Sequence, residues 1–103
     1  MDEKRRHQRT QVEIQVSYQT LASDTAHEGL VTDISFGGTF VESGQVPAFG
    51  SKVTIRTRLP GQTSDLTLPG VVRWVKPTGF GVQFGLLGVR ETHALTQFLR
   101  TRT

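Results

Sequence analysis

Residues 11–19 alternate without interruption: Val12, Ile14, Val16 and Tyr18 fall on one side, Gln11, Glu13, Gln15, Ser17 and Gln19 on the other. A period of two belongs to a strand with one face buried and one in water. A strand of this kind cannot stand alone, so the rest of the chain must supply partners for it. Short segments of the same character follow, each closed by turn residues. After the polar stretch 22–28, residues 29–35 read as a second strand, and Gly37-Gly38 turns the chain into a third, Thr39-Phe40-Val41. Pro47, Gly50 and Ser51 punctuate the next connection. Val53, Ile55 and Leu59 then alternate with Thr54, Arg56 and Arg58 in a fourth strand that ends at Pro60-Gly61.

Residues 66–76 form a long fifth strand. Its Pro69-Gly70 is expected at a bulge or a sheet edge, because proline cannot donate to the ladder. Pro77-Thr78-Gly79 closes a hairpin into a sixth strand, residues 80–84. The period then changes. Glu91, Ala94, Leu95, Phe98 and Leu99 recur at three and four, the stripe of an amphipathic helix, with Glu91 in its first turn and Arg100 and Arg102 in its last to complement the helix dipole. The expected fold is mostly β: a small six-stranded antiparallel barrel with a C-terminal amphipathic helix covering an open end or side.

A chain of 103 residues with 35% apolar residues supports one core. The expected organisation is a basic arm over residues 1–10 and a single barrel domain over 11–103. The absence of cysteine excludes a disulfide framework and a thiolate metal site. The charged start, Met1-Asp2-Glu3-Lys4-Arg5-Arg6, and the lack of any long apolar run point to a cytoplasmic protein with no membrane insertion. His7, His27 and His93 show no metal-ligand spacing, and Ser35 has no histidine or acid pattern near it for nucleophilic catalysis, so no metal, no cofactor and no enzyme activity are expected. Gly79-Phe80-Gly81 lies in a hairpin and reads as tight strand packing, not a phosphate loop.

The balance of 12 Lys+Arg against 9 Asp+Glu is mild, but Lys4, Arg5, Arg6 and Arg9 fall within six residues. Such a cluster is either a solvated terminus or a site for an anion. Its arginines form an R-x-x-x-R, Arg5 to Arg9, and one hairpin later the chain reads D-x-S-x-x-G, Asp33-Ile34-Ser35-Phe36-Gly37-Gly38. In this order and at this distance, inside an all-β pattern covering nearly the whole chain, the two motifs resemble the signature of the PilZ family, bacterial receptor domains for cyclic di-GMP.

The resemblance implies that Arg5 and Arg9 bind the ligand and that Asp33, Ser35 and Gly38 contact guanine. The chemistry agrees with those residue types. An arginine fork matches guanine O6 and N7 or phosphate oxygens, and its plane stacks on a base. Arg5 and Arg9 face one side in an extended segment or across one helical turn. Asp33 and Ser35, two apart, are expected on one strand face. A carboxylate accepts from the N1–H and N2–H₂ of guanine, whereas adenine presents an acceptor at N1. Gly38, helped by Gly37, is expected to allow positive φ and close approach of a base. Read alone, Asp33 to Gly38 would be a turn at a strand end.

Secondary contacts are expected from Arg6 and from Lys4, which holds the position that in this family helps to set one or two bound ligands. Phe40 is expected in the core. Trp74 falls where some family members stack an aromatic on guanine. Its parity groups it with Leu66, Leu68 and Val72 in the core, unless a bulge at Pro69-Gly70 turns it outward.

The function so implied is a cyclic di-GMP receptor, monomeric or a ligand-linked dimer, whose arm folds over the ligand and whose changed surface regulates an unidentified effector protein. Two alternatives stand beside it. One is a PilZ-like protein-interaction module that needs no nucleotide, against which the intact motif set weighs. The other is a small-barrel nucleic-acid binder, suggested by a pI near 10.0. Against that, aromatics make up 8% of the chain and are not interleaved with basic residues as stacking on single strands requires.

Overall fold

The computed structural model describes residues 9–100. Six strands follow one another, β1 (Thr10–Thr20), β2 (His27–Ile34), β3 (Gly38–Glu42), β4 (Lys52–Thr57), β5 (Leu66–Lys76) and β6 (Gly79–Phe84), and then the helix α1 (Val89–Arg100). All pairs are antiparallel, and the order β1-β2-β3-β6-β5-β4 closes on itself as a barrel. Closure leaves no sheet edge, so Pro69 is neither at an edge nor at a bulge: it pairs in register with Thr54. Its carbonyl accepts from Gly85 N–H, and its nitrogen faces the same side, just past the last β5–β6 pair, Gly70 with Phe84. The missing donor therefore falls where the ladder has already ended.

The inward residues are those the alternation marks in β1, β4 and the first half of β5. Ile14, Val16, Tyr18, Val53, Ile55, Leu66 and Leu68 are all buried. Ala94, Leu95, Phe98 and Leu99 of α1 join the same core, and Arg90 donates to the Asp65 carbonyl to fix the helix start beside the β4–β5 turn. The β1–β2 hairpin runs further than expected. His27 pairs with Tyr18 and their rings meet at 5.7 Å, which carries β2 two residues into the stretch expected to be loop. The Tyr18 hydroxyl, buried with its ring, meets Ser43 Oγ at 2.6 Å and donates to the Gln45 carbonyl. That anchors the β3–β4 connection to the barrel and satisfies a polar group that would otherwise be costly to bury.

Three bulges interrupt the ladders. β1 carries an extra residue between Gln11 and Ile14, β2 between Val31 and Asp33, and β5 between Val72 and Trp74. Each shifts the parity of its strand. In β2, Val31 and Ile34 are three apart and both buried, and Val12 of β1 is only partly buried against the core.

Candidate functional site

The register sets one row of side chains across the outer wall. Asp33 pairs with Phe40, Phe40 with Gly81, and Gly81 with Trp74. Paired residues share a face, so β2, β3, β6 and β5 deliver these four to the same side. The bulge at Thr32 turns Asp33 outward, and the Thr39 hydroxyl, donating to the Asp33 carbonyl at 2.5 Å, ties it in place. The bulge at Arg73 does the same for Trp74, which is 52% exposed.

Two expectations are thereby corrected. Trp74 is not in the core, and the bulge that frees it lies at Arg73, not at Pro69-Gly70. Phe40 is not a core residue either. Thr39 and Val41 take the inward positions of β3, which leaves Phe40 half-buried on the outer face under Lys76, whose Nζ lies 5.5 Å from the ring centre.

Gly81 sits between the two aromatics. A Cβ there would lie 2.5 Å from Trp74 Cε3, so the indole rests on the bare backbone. This bears out the tight packing expected of Gly79-Phe80-Gly81. Gly38 is also a steric requirement, and here the expectation of positive φ is corrected. Among the described residues only Gly50 and Gly61 have positive φ, whereas a Cβ on Gly38 would collide with the Val82 carbonyl of β6.

Ser35 lies one residue past the end of β2, so it does not share a strand face with Asp33. It is 4% exposed, and its hydroxyl serves the turn. Oγ accepts from Gly37 N–H at 3.1 Å and Gly38 N–H at 3.3 Å, while the Ser35 N–H donates to the Gly38 carbonyl at 2.8 Å. The local sequence Ser-Phe-Gly-Gly thus builds a satisfied turn that launches β3 from beside Asp33.

Arg9, just ahead of β1, reaches Asp33. Its Nη1 donates to Oδ1 at 2.5 Å, and its Cζ stands 5.7 Å from the centre of the Trp74 ring. One guanidinium therefore bridges a carboxylate and an indole face, two partners suited to a flat, donor-rich group. Together these residues line a cavity of about 790 Å³. Of the expected site residues it brings together Arg9, Asp33, Ser35, Gly37, Gly38 and Trp74. Lys4, Arg5 and Arg6 lie outside the described residues.

The cavity also holds Phe40, Phe49, Arg73, Lys76 and Gln83, which sequence reasoning did not assign to the site. Phe49 is 67% exposed on the β3–β4 connection, and that connection is laced to β5 at the bulge by Gly50 N–H to Val72 O and Val72 N–H to Ser51 O. An aromatic between Pro47 and Gly50, with no strand to bury it, was the available signal. The lining carries three cations, Arg9, Arg73 and Lys76, against the single carboxylate of Asp33. Among the described residues no group of three or more His, Cys, Asp or Glu side chains could hold a metal ion, and no helix is long and apolar enough to cross a membrane.

A closed barrel with a basic, aromatic-walled groove on its outer face is suited to holding a flat anionic ligand. The PilZ domain family model matches residues 3–101, and the chain belongs to that family. Solved structures agree on the fold. The PilZ domain of CeSA from a cellulose-synthesizing bacterium superposes with a TM-score of 0.75 at 20% identity, covering 93% of this chain and 99% of that one. The inhibitor of motility MotI/DgrA of Bacillus subtilis gives 0.77 at 23% identity over 96% of this chain and 51% of that one. The PilZ domain of YcgR from Escherichia coli, a structure with c-di-GMP, gives 0.77 at 12% identity over 97% and 92%. Among curated proteins, no sequence match of comparable significance exists.

Proposed function

We propose that the chain is a cytoplasmic cyclic di-GMP receptor that performs no chemistry on its ligand and signals by offering a changed surface to an effector protein. The observation that carries this reading is the outer row, with the Asp33 carboxylate at one end, the Trp74 indole at the other and Arg9 between them. Guanine has the shape and polarity to enter that arrangement. Its N1–H and N2–H₂ edge donates to Asp33, its face lies on Trp74, and adenine is rejected by the acceptor at its N1.

Binding then requires an exchange. Arg9 releases Asp33 to guanine and passes its own fork to a phosphate or to guanine O6 and N7. The one charge-assisted hydrogen bond given up is replaced by two donors from guanine to Asp33 and by the Arg9 fork on the ligand. Arg5, with Arg6 and Lys4 as secondary cations, adds positive charge for the ligand's phosphates. The E. coli YcgR domain, solved with c-di-GMP, supports the ligand class for this fold. Calorimetric titration with cyclic di-GMP, beside GTP and cyclic di-AMP, tests the reading. Saturable heat with cyclic di-GMP alone is expected. No heat with any of the three would leave an interaction module that does not depend on nucleotide.

A further inference from the structure

The bulge in β5 does more than expose Trp74. In a regular strand Arg73 would point outward and Trp74 inward; here both are exposed, side by side at the cavity wall. Arg73 Nε donates to Gln83 Oε1 at 2.9 Å across the β5–β6 pair. Among the described residues its two terminal amino groups have no side-chain partner, and neither does the Gln83 amide nitrogen. Holding Nε on one side orients the guanidinium plane, so the remaining edge is a fixed fork of the kind that takes two oxygens of one phosphate.

Charge points the same way. A cyclic dinucleotide carries two phosphodiesters, and Arg9 is one of three cations lining the cavity among the described residues. Arg73 and Lys76 line the same cavity and add two cations to it. We infer that Arg73, oriented by Gln83, is a ligand-binding residue outside the two motifs, and that its fork takes a phosphodiester of the ligand. This rests on the receptor reading above and adds a second anion contact to it.

The test is cyclic di-GMP affinity of the full chain over a series of salt concentrations, for wild type, Arg73→Ala and Arg73→Lys. Arg73 is exposed, so the variants are expected to fold, and thermal denaturation checks this. Arg73→Ala should weaken binding by about ten-fold or more and make affinity less sensitive to salt, because one cation has left the site. Arg73→Lys should restore the salt sensitivity while recovering only part of the affinity, since it keeps the charge and loses the fork. Arg73→Ala within about two-fold of wild type and with unchanged salt dependence would overturn the assignment while leaving the receptor reading intact. A wild-type chain that takes up no cyclic di-GMP would overturn both, and that outcome is distinct from the first.

Discussion

Two rows of residues run side by side across β2, β3, β6 and β5. The inner row, Ile34, Thr39, Val82 and Val72, is sealed, none of it more than 2% exposed. The outer row, Asp33, Phe40, Gly81 and Trp74, lines the candidate site. They differ by one residue in β2, β3 and β6 and by the bulge in β5, and the same ladder hydrogen bonds hold both. Packing of the core therefore sets the register, and the register sets the site. The barrel needs no separate device to bring Asp33 and Trp74, 41 positions apart in the chain, to one groove. It needs only bulges placed so that the outward residues are the useful ones.

The largest expected effect comes from the inner row. Ile34→Ala should destabilise the fold by about 2–5 kcal/mol through lost burial and a residual cavity, read as a lower urea midpoint, and should alter ligand binding only through the folded fraction. Its neighbour should behave in the opposite way. Asp33→Ala removes one ion pair with side chains 25% and 26% exposed and opens no core cavity, so stability should fall by about 1–2 kcal/mol, less than for Ile34→Ala. Binding of cyclic di-GMP should weaken by about ten-fold or more, with reduced preference over cyclic di-AMP in a competition series. Arg9→Ala should lower affinity and leave the base preference standing. If Ile34→Ala and Asp33→Ala both act through stability alone, the distinction between the rows fails.

Trp74→Ala sharpens the comparison. Loss of a stacking face should cost about 1–3 kcal/mol of binding and little stability, because the indole is 52% exposed and rests on the backbone of Gly81 with Arg9 against its ring. The smallest effect is expected away from both rows. Arg58 and Asp65 form an ion pair at 3.2 Å whose side chains are 59% and 58% exposed. Arg58→Ala should change stability by less than about 1 kcal/mol and binding not at all, by the same two measurements.

Periodicity made most of the fold legible. The β1 alternation and the spacing of Ala94, Leu95, Phe98 and Leu99 each carried their element because local pattern and tertiary burial agree. The two motifs pointed to Arg9 and Asp33, which the fold joins. Parity arguments failed wherever a bulge intervened. A bulge shifts every later side chain to the other face and has no dependable residue signature, so Trp74 read as core and Pro69-Gly70 attracted the bulge that lies at Arg73. Phe40 was different. Thr39 and Val41 occupy its inward alternatives, and the two-residue spacing of that pair was available in the sequence. Arg73, Lys76 and Gln83 come to line one cavity with Asp33 only through the β5–β6–β3–β2 register, which no local pattern encodes.

The chain has one tryptophan, and it stands at the end of the outer row, so its emission reports directly on whether a base occupies the groove. In a titration of wild type and Asp33→Ala with cyclic di-GMP, the account predicts saturable quenching of Trp74 in the wild type at the concentrations where calorimetric heat saturates. The response should be much weaker to cyclic di-AMP and should shift to about ten-fold or higher concentration in Asp33→Ala. Unchanged Trp74 emission while calorimetry shows full binding, or equal quenching by both nucleotides, would contradict it.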